Sequence, residues 1–429
     1  MRLLNNDKIV IGYDLCNSYS QISYAYVDSD KVETVSSVAG AEIFSIPTVL
    51  CKKEGSNQWL YGKEAVRYAE ENPGILVENL LQLAIDGEPV LIEGVTFQPV
   101  ALLTLFVKRS MGLLSAIASP DKIVAMVITC EKPDARILEV LGQVFAGLQL
   151  KTDRIYFQSH VESFYYYMLH QQEELWSYQT LLCEYRDNYI QVYRMECNRR
   201  TKPVVVHIDE ARYPFISYEP MPEGDSLRRD KMERMDEELL QLMEGICEDK
   251  IISSVYLIGE NFTEEWLKGT LRYLCRGRRV FQGNNLYSKG ACFGMLERLG
   301  ESEAGRSHVF LGSDKLKFNI GMRIKRRGQD SYYALLDAGA NWYEVEETTE
   351  FYLHEGNTVE LMLTSIIGGK NKLAEIELEG LPEGVSRLRL HLYLQDERHL
   401  VAEITDLGFG EFREATHRVW EEILELGDK

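Results

Sequence analysis

The sequence predicts a mixed α/β unit followed by an all-β unit, and three observations carry that reading. Residues 9–21 place a continuous apolar strand before a short polar turn and a returning strand. Residues 122–148 and 237–259 alternate strand and helix patterns, as parallel sheets with crossover helices require. In residues 310–412, strand-length segments separated by turn signals replace the helical period.

Taken in order, Ile9-Val10-Ile11-Gly12-Tyr13-Asp14-Leu15 is apolar enough for a buried strand, and Cys16-Asn17-Ser18 makes the turn. Such a hairpin offers backbone N–H groups to a phosphate, with Asp14 at the strand end able to hold a metal-bound water. Glycine at the turn would allow the closest approach of a phosphate, and Cys16 and Asn17 stand there instead. Residues 122–129 read as a buried parallel strand, and Pro133 opens a helix with Ile137, Leu138, Leu141, Phe145 and Leu148 on one face. His160, at the start of the next helix, reads as a cap or a satisfied contact. Asp187-Asn188 turns a second hairpin. Residues 203–230 read as loop or short strands, 237–246 as an amphipathic helix, and 255–259 as the strand it feeds.

In the second unit, Leu388, Leu390, Leu392 and Leu394 alternate so that one face is buried, and the regular succession of strands, residues 342–345 among them, predicts a β-sandwich. Residues 411–426, with Phe412, Val419, Trp420, Ile423 and Leu424 as an apolar stripe, predict one C-terminal helix.

Composition sets bounds. The 429 residues, 45% hydrophobic and 27% charged, suit two or three domains with sizeable cores. A net charge of −20 argues against a nucleic-acid partner, since a phosphate backbone would repel the surface. No run reads as long and apolar enough to span a bilayer, and residues 1–7 lack the apolar centre of a secretory signal, so a cytoplasmic protein without a membrane partner is expected. Eight scattered cysteines without a Cys-x-x-Cys pair predict reduced, mostly buried thiols and no metal site.

Several of these segments, in the same order, resemble blocks of the DnaK-type heat-shock chaperones, members of the actin, sugar kinase and heat-shock ATPase superfamily. The opening hairpin resembles the first phosphate loop. Residues 46–50, 61–67 and 71–73 look like the strand, glycine turn and short helix that follow it, residues 255–259 resemble the adenosine-side strand, and residues 289–294 the helix closing that lobe. Residues 308–311 are similar in position to the interdomain linker, and residues 373–382 and 387–405 to strand pairs of the peptide-binding sandwich. The resemblance implies an actin-like (ribonuclease-H-like) two-lobed ATPase fold over residues 1–300, truncated in its second lobe, and a sandwich plus one helix over residues 301–429. It also implies ATP and magnesium as cofactors, a nucleotide site at Asp14, Asn17, Ser18 and Gly259, and peptide contacts from Phe351, Val359 and Leu361 on a pair of strands.

The chain departs from that pattern where phosphoryl transfer needs it most. No lysine lies between Lys63 and Lys108, where the family carries its catalytic lysine. Arg67 could substitute in principle, but its helical spacing reads as a surface position. Ser159 stands where the water-orienting glutamate is expected, and Tyr185 and Arg186 replace the glycines of the second phosphate loop and are expected to fill the cleft. These losses predict a binding or scaffold module for a protein or peptide partner, without ATP hydrolysis, catalytic residues or a cofactor. An active or nucleotide-switched ATP-dependent chaperone is the alternative. Oligomeric state is not encoded in any pattern here.

Overall fold

A computed structural model describes residues 7–38, 40–259, 261–263, 265–366, 368 and 371–426. The signal-sequence reading at residues 1–7 therefore falls almost wholly outside them. The chain divides into two compact units at His308 and Val309, eight residues beyond the expected boundary at 300.

The first unit is mixed α/β. Its first sheet runs in the order Ile155–Ser159, Ile123–Cys130, Ile9–Leu15, Tyr19–Tyr26, Glu33–Thr34, with Ile46–Pro47 paired to Tyr19–Tyr26. The opening strand pairs antiparallel with its hairpin partner and parallel with Ile123–Cys130, which is parallel to Ile155–Ser159. A second sheet repeats this plan in the order Arg279–Gly283, Ile252–Ile258, Gln179–Arg186, Tyr189–Asn198, Val204–Pro214. Again a hairpin strand carries an antiparallel partner on one side and parallel crossover strands on the other.

Helices cover these sheets because their apolar residues recur every three or four positions. Ala135–Leu148 starts at the Asp134 side chain, which accepts the Ile137 N–H, and buries Val140, Leu141, Val144 and Phe145 in the first core with Tyr13, Leu103 and Phe106. Asp225–Cys247 starts well before the expected 237, since Met232 and Met235 continue the row of Leu239, Met243 and Ile246 into the second core while Arg228, Arg229 and Arg234 face water. Residues 204–214, expected as loop or short strands, form one long strand whose register with Tyr189–Asn198 is unbroken.

Leu286–Leu299 packs with unusually close backbone contact. A Cβ on Gly12 would lie 2.1 Å from the Ser288 carbonyl oxygen, and one on Gly290 would lie 1.9 Å from that of Ser163. The helix is thereby wedged between the opening strand and the helix His160–Leu169.

One apolar stretch, Pro99–Ala116, does reach the length and hydropathy of a membrane span, which corrects the reading of the sequence. Leu102, Leu103, Phe106 and Val107 bury it in the first core.

The second unit is β-rich and contains two four-stranded antiparallel sheets. One runs Gln329–Leu336, Phe318–Arg326, Thr358–Ser365, Lys372–Glu377, the other Glu346–Leu353, Ser386–Leu394, His399–Asp406, Val419–Glu425. Leu388, Leu390, Leu392 and Leu394 are buried, as their alternation predicts. The expected C-terminal helix is instead the strand Val419–Glu425, because the free edge of His399–Asp406 offers backbone partners to this β-branched and aromatic segment. Its expected stripe residue Phe412 lies in a loop, 90% exposed. Residues 342–344 form a single 3-10 turn rather than part of a strand.

Candidate functional site

The opening hairpin ends at a cluster that the sequence spacing does not announce. The pairing of Asp14 with Gln21 fixes the end of the strand, and the Cys16 N–H closes the turn on the Tyr19 carbonyl. Ser159 caps the helix His160–Leu169 by accepting the Glu162 N–H, which leaves His160 free to face the hairpin. Its Nε2–H donates to Asp14 Oδ1 at 2.8 Å, while Cys16 Sγ lies 3.5 Å from the same oxygen and 3.7 Å from that nitrogen. Asp14 and His160 are buried, and Cys16 is half-buried.

His160 stacks on Tyr287, with ring centroids 3.9 Å apart and planes 8° from parallel. The Tyr287 hydroxyl donates to Glu184 Oε2 at 3.0 Å, Arg186 Nη2 meets the same oxygen at 3.0 Å, and Arg186 Nη1 reaches Glu131 Oε2 at 2.6 Å. A continuous chain of contacts thus links the first hairpin to the second. Burial pushes the Tyr287 hydroxyl well up, with the Glu184 charge adding to it. Burial opposes the Arg186 charge, but Glu184 and Glu131 outweigh it and hold the guanidinium ionised. Burial likewise raises the Cys16 thiol well above its ordinary range, and the neighbouring Asp14 raises it further. A thiol so held is protonated and a poor nucleophile, and Asp14 and Cys16 address the same ring nitrogen, so this is not the relay of a cysteine hydrolase.

The residues expected to share a nucleotide site have different surroundings. Asp14 belongs to the buried cluster. Asn17 caps a neighbouring segment, its Oδ1 accepting the Gln82 N–H at 2.9 Å, and the Ser18 carbonyl accepts the Thr48 N–H. Asn17 and Ser18 line a surface cavity of about 470 Å³ together with Lys63 and Arg67. Gly259 ends Ile252–Ile258 at φ +110°, and a Cβ there would meet the Tyr185 carbonyl oxygen at 3.0 Å. Of the two bulky residues in the second hairpin, only Arg186 faces the cluster. Tyr185 turns into the core against Phe215, Phe262 and Trp266 and donates its hydroxyl hydrogen to the Ile216 carbonyl.

The expected peptide contacts are not on paired strands. Phe351 lies in the sheet containing Ser386–Leu394 and is half-buried, whereas Val359 and Leu361 belong to the other sheet and are buried. Side chains enclosed in that way cannot line an open groove.

His160 is the residue whose importance sequence reasoning missed. It stands 146 positions from Asp14, and no local spacing signals the contact.

Among known families, a model described as "Family of unknown function (DUF5716) C-terminal" matches residues 31–313. The chain belongs to this DUF5716 C-terminal family. A second model, "Domain of unknown function (DUF8552)", matches residues 315–426. The passage from the DUF5716 match to the DUF8552 match falls a few residues after the structural boundary at His308. His160, Glu184, Arg186 and Tyr287 lie within the DUF5716 match, and Asp14 and Cys16 precede it. No curated protein matches the chain.

Proposed function

We propose that this chain is a divergent relative of the DnaK-type chaperones that works as a binding or scaffold module for a protein or peptide partner and does not hydrolyse ATP. The repeated plan of the two sheets in the first unit supports an actin-like, ribonuclease-H-like origin, since each sheet places a hairpin beside two parallel crossover strands. The β-rich second unit supports descent of a substrate-binding sandwich.

The observation that carries the loss of hydrolysis is the chain of side chains from Asp14 through His160, Tyr287, Glu184 and Arg186 to Glu131. It spans from one hairpin to the other, the ground where the resemblance puts the phosphates. Asp14 is engaged by an imidazole, and a thiol and an imidazole are poor partners for magnesium, which takes oxygen ligands in an octahedron. The residues present therefore do not fit magnesium and ATP. The close backbone contacts at Gly12 and Gly290 further favour a fixed platform over lobes that open and close.

Calorimetric titration with magnesium and ATP, together with a phosphate-release assay, tests this reading. Neither heat of binding nor turnover at millimolar nucleotide is expected. Saturable binding accompanied by turnover would overturn it.

A further inference from the structure

We propose that Asp14, Cys16 and His160 form a zinc site with three protein ligands and one open position. The inference goes beyond the scaffold reading and does not depend on it. One carboxylate oxygen, one sulfur and one ring nitrogen converge within 4.8 Å of one another. That donor set is borderline-soft, suited to zinc and unsuited to magnesium or calcium.

The distances support the assignment. With zinc–sulfur near 2.3 Å and zinc–nitrogen and zinc–oxygen near 2.0–2.2 Å, the edges of a tetrahedron are about 3.6 Å to sulfur and about 3.4 Å between nitrogen and oxygen. The structure has 3.5 Å and 3.7 Å to sulfur, and 2.8 Å between His160 Nε2 and Asp14 Oδ1. Only the last edge must open, by about 0.6 Å, as a hydrogen bond gives way to two metal bonds.

The surroundings preorganise the donors. Asp14 is fixed by the strand end, Cys16 by the turn, and the His160 ring by its stack on Tyr287. His160 is 1% exposed, and its Nδ1 has no hydrogen-bond partner among the described residues. On binding, the single hydrogen of the neutral imidazole moves from Nε2 to Nδ1, zinc takes the Nε2 lone pair, and the Cys16 thiol gives its proton to solvent. No electron is transferred. Half-buried Cys16 and exposed Ser18 give the ion a path from solvent, and the fourth position is left to water or an incoming ligand, as in reactive rather than closed zinc sites.

The test is titration of the chelator-treated full chain with zinc chloride against a colorimetric competitor, and with cobalt(II) for its spectrum. One ion per chain is expected, and cobalt should give intense tetrahedral bands with a sulfur-to-metal charge-transfer band. Cys16→Ser and His160→Ala should each weaken zinc binding by roughly 100-fold, more than the ~10-fold effect of losing an outer-shell group. Circular dichroism checks that each variant folds. If His160→Ala does not fold, an anomalous zinc signal in crystals of the unaltered chain decides, and it must lie between the three donors. Cys275→Ser, which removes the exposed cysteine, should bind as the parent does. No binding at micromolar zinc, binding unchanged in Cys16→Ser, binding lost in Cys275→Ser, or an anomalous signal elsewhere would each overturn the proposal.

Discussion

His160 lies flat on Tyr287, 8° from parallel, so the ring that meets Asp14 at its edge is held from its face by a residue of a distant helix. The opening hairpin, the helix His160–Leu169 and the helix Leu286–Leu299 meet at this one ring. Changes on either side of it separate the stack from the polar chain behind it.

Tyr287→Phe keeps the stack and removes the hydroxyl that donates to Glu184. We expect a loss of about 1–2 kcal/mol, because a half-buried acceptor loses one donor while Arg186 remains. Urea denaturation followed by circular dichroism measures it. An unchanged midpoint would show that the hydroxyl contributes nothing to stability.

Gly290→Ala forces a methyl to within 1.9 Å of the Ser163 carbonyl oxygen, against backbone that cannot rotate away. The expected cost is about 3 kcal/mol, at the upper end of ordinary overpacking. Gly142→Ala, in an uncrowded helical position, should have an effect of the opposite sign, of about 0.5–1 kcal/mol. Thermal melts of the two variants side by side make the comparison.

Acid should unfold the second unit through Asp406. This fully buried carboxylate accepts hydrogen bonds from Arg413, from the backbone of Gly408 and Thr416, and from the Thr416 hydroxyl. Burial opposes its charge, but these donors outweigh it and hold its pKa well below the usual carboxylate range. A depressed folded-state pKa gives stability that is fully present above the unfolded value near 3.9 and is lost as pH falls towards the folded value. Stability should therefore be flat in this contribution above about pH 5 and fall below about pH 4. Asp406→Asn should remove that contribution to the slope and cost about 3 kcal/mol at neutral pH by stranding Arg413. Denaturant melts across a pH series read both effects.

Leu361→Ala should act on stability and not on recognition. The residue is fully buried, so its truncation leaves a cavity and costs about 2–5 kcal/mol. Phe351→Ala, in the half-buried row of the other sheet, should cost less. Chemical denaturation of the two variants gives the order, and a reversal would mean that the interior of the unit is not packed as described.

Much of the architecture was legible because it rests on short-range patterns. The apolar run at residues 9–15, the Asp187-Asn188 turn and the alternating leucines of residues 388–394 each carry their signal within a few neighbouring residues, so local pattern alone places them. Where local signals conflict, the partner decided. Val419, Trp420 and Ile423 suit a helical stripe and a strand equally well, and the open edge of His399–Asp406 settled the matter.

By itself the sequence determined the class of each unit and the two hairpins. Only the tertiary structure decided which side chains meet where those hairpins end. The convergence of Asp14, Cys16 and His160, and the line of Tyr287, Glu184 and Arg186 behind it, joins residues more than 100 positions apart. Such contacts depend on how crossover strands and helices are brought together, and short-range patterning carries no record of that distance.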